Sequence, residues 1–237
     1  MGQSFLQKLE EMVSPLYLVL GGHEPDHCQR MIGMFPEINS LIQGVSPYEF
    51  AAAVWLHSLD LVEGFKKMTK EALAVVLKGF LAEGGFSEPS KEGIIGAILE
   101  HSKFEDGPND FPLLQALRLA DKWDRIGLLG VVSGFMFLGT RMPMYYAKKP
   151  FGYGPTAEGE KGCQTIYENF YRVLEWYSLF PLLRELVRRH PKRFWNFLTC
   201  IRVFGEEVSE AHGVPNTVEE DIERCLGDEF YNEWKPR

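Results

Sequence analysis

The stretch Ser46–Leu61 reads SPYEFAAAVWLHSLDL and is the clearest helical segment of the chain. Ser46 and Glu49 have the spacing of a capping box, in which each side chain bonds the backbone N–H of the other residue. Pro47 fits the first helical position, where a missing N–H costs nothing. Apolar residues then recur at helical spacing, and His57 lies among them. The inward stripe consists of Phe50, Val54, His57 and Leu61.

The same kind of pattern continues along the chain in both directions. Helix-start residues precede most apolar-periodic segments, and glycine or proline follows many of them. The further predicted helix starts are Thr69, Ser90, Asp110, Thr156, Pro191 and Thr217. No long segment alternates apolar and polar residues beside a turn dipeptide, so we predict an all-α helical bundle with a C-terminal helical extension.

Composition narrows the class of protein. The 237 residues carry 25 Lys+Arg and 33 Asp+Glu, a net charge of −8, and 13% are aromatic. That aromatic content excludes disorder as the main state, and the acidic balance disfavours a nucleic-acid polymer as partner. Four widely spaced cysteines indicate reduced thiols and a cytoplasmic location. The longest apolar run, 126–140, is too short for a membrane span, and the N-terminus lacks the apolar stretch of a signal peptide.

One segment differs in composition from the rest. Thr140–Gly162 concentrates proline, glycine, aromatic and basic residues. A loop of this length is often functional, so it is predicted to join an N-terminal helical core to the C-terminal helices and is a candidate lid. An ordered surface crossover explains the composition equally well.

Three polar residues are predicted to face the apolar interior from three different helices. His27 and His57 lie on apolar faces, and Asp121 lies within the inward stripe of the helix after Asp110. A buried carboxylate is costly unless it is paired or binds a metal, so the three suggest a shared polar site. The alternatives are core histidines with satisfied hydrogen bonds and an aspartate paired with Arg30.

At these residues the sequence resembles the HD-domain superfamily of metal-dependent phosphohydrolases. Four segments match the family in order, over roughly residues 15–135, about half of the chain. They are HEPDHCQRM with His27 and Arg30, AAAVWLHSLD with His57, AILEHSKF with His101, and LLQALRLADKWDRIGLLG with Asp121, Lys122 and Asp124. The resemblance implies one HD-like domain with a core over 15–135, a loop or lid over 140–162, and a helical extension over 163–237.

The chain departs from the family at the doublet that gives the family its name. The family has His-Asp there, and this chain has His57-Ser58. Serine is a poor ligand for a divalent cation, so a two-metal centre is not expected. The resemblance leaves His27, His57 and Asp121 as ligands for one Mn, Fe, Ni or Zn ion, weakly held or absent. Asp60 approximately shares the helix face of His57 and is a candidate fourth ligand, directly or through water, or else an exposed or capping acid.

The resemblance also assigns roles around the metal. His101 would donate a hydrogen bond or proton to the phosphate or leaving group, or it would only support the site. Lys122 would line the phosphate side of the site or face solvent. Arg30 would contact phosphate or orient an acid. Arg141 and Lys148, in the loop, would neutralise a substrate phosphate or lie on a solvated face.

His23 begins a formal H-E-x-x-H pattern that ends at His27. That pattern is typical of zincin proteases when both histidines lie on one helix. Pro25 inside it indicates a helix start, so the zincin interpretation is disfavoured. Some HD-domain proteins share the spacing, and there the first histidine is not always a ligand.

The function expected from the sequence is metal-dependent hydrolysis of a nucleotide or other small phosphate ester. The alternative is a catalytically silent HD-fold protein that binds a ligand or partner, and a helical scaffold is a third hypothesis. The expected partner is a small phosphorylated molecule, with no nucleic-acid polymer and no membrane. A homo-oligomer is compatible with the sequence.

Overall fold

The computed structural model describes residues 2–102, 110–139, 142–145, 150–151 and 165–236. These residues form α-helices, two short 3-10 helices and connecting turns, with no strand among them. The predicted all-α bundle is therefore confirmed. None of the helices in this part of the chain is long and apolar enough to cross a membrane.

The chain divides into two compact units, Met1–Asp124 and Arg125–Arg237. The helices of the first unit are α1 (Gly2–Tyr17), α2 (Pro25–Gly33), α3 (Phe35–Leu41), α4 (Pro47–Leu56), α5 (Lys70–Phe80), α6 (Glu88–Glu100) and α7 (Pro112–Asp124). Short 3-10 helices follow α4 and α5, at Leu59–Leu61 and Ala82–Gly84.

Helix α4 is the centre of the first unit. It packs against α1, α2, α6 and α7, and its residues from Phe50 to Leu56 are all buried. A helix that is apolar on every face is stable only inside a core, and the three alanines at 51–53 let neighbouring helices approach closely. The residues that follow α4, His57 and Ser58, are consequently buried as well, each at 1% exposure.

Two of the predicted caps are confirmed and one predicted start is wrong. The Ser46 Oγ accepts from Glu49 N at 3.4 Å, and the Thr69 Oγ1 accepts from Ala72 N at 3.3 Å. Helix α6, however, begins at Glu88 and is capped by Ser87, three residues before the predicted Ser90. The sequence SEPS offers two capping serines, and proline in the first turn favours the earlier one.

The second unit contains the remaining helices. They are α8 (Leu128–Leu138), α9 (Ile166–Leu179), α10 (Pro181–Arg189), α11 (Pro191–His212) and α12 (Val218–Trp234), the last kinked at Gly227. Helix α9 packs against α8, α10 and α12, while α11 packs against α8, α10 and α12.

Of the predicted helix starts in the second unit, one is confirmed, one lacks its predicted cap and one lies outside the described residues. The start at Pro191 is confirmed. The predicted capping box at Thr217 does not form, because the side chain of Thr217 makes no cap hydrogen bond and Asn216 Oδ1 accepts from Val218 N instead. Thr156 lies outside the described residues, and α9 is capped by Thr165.

The predicted subdivision into 15–135, 140–162 and 163–237 stays a prediction. Of the predicted loop or lid, only 142–145 and 150–151 belong to the described residues. The predicted metal ligands, with His101 and Lys122, all belong to the first unit.

Candidate functional site

His27 is held in one orientation by an acid at the end of another helix. It lies in the first turn of α2, and its Nδ1 is 2.7 Å from Oδ2 of Asp124, the last residue of α7. Arg30, one turn further along α2, donates from Nε to Asp124 Oδ1 at 2.9 Å and from Nη2 to Oδ2 at 2.8 Å. The H-x-x-R spacing thus brings an imidazole and a guanidinium to one carboxylate.

The protonation of Asp124 decides which nitrogen of His27 carries the proton. Burial alone would raise the pKa of this carboxyl, but the hydrogen bonds from His27 and Arg30 outweigh burial and hold its pKa well below the usual range. An ionised carboxylate only accepts hydrogen bonds, so Nδ1 of His27 is the donor. The electron pair of the neutral ring is then on Nε2.

His57 has the same arrangement with a backbone acceptor. It directly follows α4, and its Nδ1 donates to the carbonyl oxygen of Val54 at 2.7 Å. Burial, together with the neighbouring His101 and His27, lowers the pKa of His57 to about 3. The ring is therefore neutral at physiological pH, and its Nε2 also carries an electron pair. Histidines that bind metals commonly donate their other ring N–H in this way.

A second imidazole nitrogen and a carboxylate oxygen both lie close to Nε2 of His27. Nε2 of His27 is 3.3 Å from Nε2 of His57 and 3.4 Å from Oδ1 of Asp121. Two ligand atoms bound to one ion at about 2.1 Å, at angles between octahedral and tetrahedral, are separated by about 3.0–3.4 Å. Each of the two separations from Nε2 of His27 therefore fits a pair of ligands on one divalent ion. Among the described residues, the group whose ligand atoms all lie within 4.8 Å of one another is His23, His27 and His57, and Asp121 is not part of it.

His23 is the site residue that the sequence analysis missed. One ring nitrogen each of His23, His27 and His57 lies within 4.8 Å of the others, and all three side chains are buried. Nδ1 of His23 is 3.1 Å from Oγ of Ser58, and that Oγ is 3.0 Å from Nε2 of His57.

His23 lies in the turn before α2, and helical periodicity does not predict the direction of side chains in turns. His23 precedes the first residue of α2, Pro25, so His23 and His27 do not share a helix. The H-E-x-x-H spacing is the one signal in the sequence that points to His23, and it does so without a shared helix. The role of Asp124 was likewise missed, although the matched segment contained it.

His101 lies beside His57 at the end of α6. Its Nδ1 donates to the carbonyl oxygen of Ile98 at 2.6 Å, and its ring centre is 5.3 Å from that of His57. The residue is 9% exposed. It thus borders the histidine cluster with a fixed ring, a position compatible with either predicted role.

Two predicted residues on neighbouring elements differ in burial. Lys122 is 3% exposed, so of its two predicted positions the solvent-facing one is wrong, and its long side chain lies inside the unit. Asp60 is exposed on the 3-10 helix Leu59–Leu61 and is not among the described residues that could together hold a metal. Its role as a fourth ligand stays a prediction.

The predicted phosphate-contacting residues are only partly described. Arg30 engages Asp124 with two nitrogens, which is the second of its two predicted roles, that of orienting an acid. A contact between Arg30 and phosphate stays a prediction. Arg141 and Lys148 lie outside the described residues.

Comparisons with known proteins identify the fold and no family. No protein-family model and no curated protein matches the chain. A structural-genomics target from Lactobacillus plantarum superposes with a TM-score of 0.67 at 19% identity, covering 87% of this chain and 98% of that one. Bacillus subtilis YpgQ, solved in complex with ADP, superposes with a TM-score of 0.57 at 17% identity, covering 85% of this chain and 97% of its own. At these identities the likeness establishes a shared helical fold.

Proposed function

We propose that this protein is an HD-type metal-dependent phosphohydrolase that acts on a nucleotide or another small phosphate ester. The observation that carries the proposal is the position of Nε2 of His27, which lies 3.3 Å from Nε2 of His57 and 3.4 Å from Oδ1 of Asp121. Two imidazoles and one carboxylate suit a single Mn, Fe, Ni or Zn ion and leave coordination positions for water and substrate.

The chemistry divides between the ion and the chain. A bound divalent ion supplies Lewis acidity, which acidifies water and polarises a phosphoryl oxygen. Asp124, held by Arg30, keeps the proton of His27 on Nδ1 and so keeps Nε2 available to the ion. His101, whose Nδ1 is fixed to Ile98, is the candidate donor to the phosphate or leaving group. Lys122, adjacent to Asp121 on α7, is the candidate cation for the phosphate charge.

The substrate is proposed to be small and anionic. The net charge of −8 disfavours a nucleic-acid polymer, whereas a small phosphate needs only local positive charge. Arg141 and Lys148 remain candidates for neutralising it. Because Bacillus subtilis YpgQ was solved with ADP, ADP is the first nucleotide to test. A cytoplasmic location fits such a substrate, and a homo-oligomer stays an open prediction.

The test is metal analysis followed by phosphate release. Protein purified without chelator should retain a transition metal, and stripped protein should regain activity with Mn, Co, Ni or Zn. His27→Ala and Asp121→Ala should lose both metal and activity, whereas the exposed His212→Ala should lose neither. Absence of both retained metal and phosphate release, across these ions, Mg and a panel of nucleotides and phosphate esters, would disprove the proposal.

A catalytically silent ligand-binding protein is the second candidate, and Ser58 favours it. Ser58 is 1% exposed and contacts two histidines of the cluster, where the HD family has a carboxylate. In that case the wild type binds a phosphorylated ligand without turnover, and Ser58→Asp raises metal affinity. Turnover by the wild type at enzyme-like rates excludes this alternative.

A further inference from the structure

The Ser58 hydroxyl is shared between two histidines, and this fixes the direction of both hydrogen bonds. His57 donates from Nδ1 to the Val54 carbonyl, so in the neutral ring Nε2 must accept from Ser58. The single hydroxyl proton is then used, and the contact between Ser58 Oγ and Nδ1 of His23 needs the proton of His23. In the metal-free site the electron pair of the neutral His23 ring is therefore on Nε2. An ion bound to Nε2 of His57 would take the electron pair that accepts from Ser58, so the Ser58 hydroxyl would turn its proton elsewhere when metal binds.

The His23 ring also lies where the missing carboxylate would extend. In an aspartate at position 58, Cγ would stand near the present Oγ, and a carboxylate oxygen would reach about 1.2 Å beyond it. Nδ1 of His23 is only 3.1 Å from that Oγ. A carboxylate at position 58 and the imidazole of His23 would thus compete for the same space beside His57.

We propose that His23 is a metal ligand that takes the place of the doublet aspartate, so that three imidazoles and Asp121 bind the ion. This inference rests on the metal centre of the proposed function and deepens it. Ring nitrogens of His23, His27 and His57 lie within 4.8 Å of one another, close to the about 4.2 Å that separates opposite ligands of one ion. Small rotations of the rings would shorten these separations from up to 4.8 Å to the distance that one ion requires.

Metal choice follows from this set of ligands. Three neutral imidazoles and one carboxylate together carry one negative charge. A set that includes the doublet aspartate carries two. Imidazole suits zinc, nickel, copper and iron, whereas magnesium and manganese prefer oxygen ligands. The site should therefore favour zinc and nickel, and also cobalt, which binds nitrogen ligands more tightly than manganese does, over manganese and magnesium.

The experiment is calorimetric titration of the metal-stripped full chain with zinc, cobalt and manganese. His23→Ala tests the ligand directly. His23→Asn is the matched variant, because its amide can still donate to Ser58 but lacks the ring nitrogen. Both should weaken zinc binding at least 10-fold, a loss that even indirect supporters of ligands commonly cause. His212→Ala, an exposed histidine of the second unit, should bind as the wild type does.

Two further readouts separate a ligand from a merely structural histidine. The visible absorption of the cobalt-loaded protein reports coordination, and it should change in His23→Asn but not in His212→Ala. His23→Asp replaces the imidazole with a carboxylate, so the ratio of zinc to manganese affinity should fall at least 10-fold. Circular dichroism of each metal-free variant checks that it is folded.

The outcomes distinguish this inference from the proposed function. If His23→Asn binds zinc as tightly as the wild type while His27→Ala does not, His23 is not a ligand, and the metal centre of the proposed function stands. If the wild type binds none of the three ions, both the inference and the metal centre are wrong.

Discussion

Among the described residues, each unit of the molecule contains one deeply buried aspartate, and the two have opposite pKa shifts. Asp124 and Asp221 are both 4% exposed. Asp124 accepts from a guanidinium through two bonds and from an imidazole, and its pKa is lowered. Asp221 accepts from the Tyr167 hydroxyl at 3.0 Å and from Arg224, and burial nevertheless raises its pKa.

The difference between the two acids is in their partners. The Asp221 guanidinium partner, Arg224, has a side chain that is 50% exposed, and the other donor is a neutral phenol. Charge-assisted bonds to a better-buried guanidinium outweigh desolvation at Asp124, while weaker donors do not at Asp221. Asp124 is thus a fixed anion that orients His27, and Asp221 belongs to a structural network of tyrosines.

The largest expected contrast is between Asp124→Ala and Asp221→Ala, in both the free energy of unfolding and metal affinity. Asp124→Ala leaves Arg30 and His27 without their shared acceptor and should lower the free energy of unfolding by about 3 kcal/mol. It should also weaken metal binding about 10–100-fold, because the proton of His27 is no longer held on Nδ1. Urea denaturation and metal titration measure the two effects.

Asp221→Ala is the matched control for that contrast. It should cost about 1–2 kcal/mol, mainly by leaving the Tyr167 hydroxyl without its acceptor, and it should leave metal affinity unchanged. Equal losses of metal affinity in the two variants would contradict the separate roles assigned to the two aspartates.

The histidine cluster should make the first unit sensitive to acid. In the metal-free protein the pKa of His57 is lowered to about 3, while an unfolded histidine titrates near 6.5. The unfolded state therefore binds the proton first, and stability falls as pH decreases below about 6.5. Relative to His57→Gln, the wild type should lose about 1.5 kcal/mol between pH 6.5 and 5.

Chemical denaturation at several pH values measures this loss. His212→Gln, which changes an exposed histidine, should follow the wild-type profile. If wild type and His57→Gln have parallel profiles, His57 does not stay neutral in the folded protein.

The smallest expected effect concerns how the contribution of each aspartate to the free energy of unfolding changes with pH. The two contributions should change in opposite directions. The raised pKa of Asp221 means that the folded protein ionises it later than the unfolded chain does, so its contribution to stability decreases as pH rises above about 3.8. The lowered pKa of Asp124 means that its contribution increases as pH rises towards about 3.8 and is lost in stronger acid. Stability profiles of Asp221→Asn and Asp124→Asn, each subtracted from wild type, should therefore slope in opposite directions. Slopes of the same sign would contradict the pKa directions.

Much of the fold and part of the site were predictable from the sequence. Capping by Ser46 and Thr69 was predicted correctly because these are local hydrogen bonds between residues three apart. The same local rules gave the wrong start for α6, where Ser87 and Ser90 compete. The proximity of His27, His57 and Asp121 followed from helical faces together with a family resemblance.

What the sequence could not supply lies in turns and in contacts between distant elements. His23 precedes a helix, so periodicity gives its side chain no direction. Asp124 and His27 are 97 residues apart, and their bond depends on how α2 and α7 pack. The sequence left open whether Lys122 faces solvent or the site. The side chain is buried because of the way α7 packs, which the sequence alone does not specify.

The sequence by itself determined an all-α chain, the caps of several helices and the inward-facing histidines, because helix periodicity and capping depend on residues a few positions apart. Tertiary structure alone decided which atoms meet. Packing around α4 directs Nε2 of His27 at Nε2 of His57 and places Ser58 between His57 and His23. The surroundings of Asp124 in the first unit and of Asp221 in the second give the two carboxyls opposite pKa shifts. Burial and hydrogen-bond partners set these properties, and both come from segments far apart in the chain.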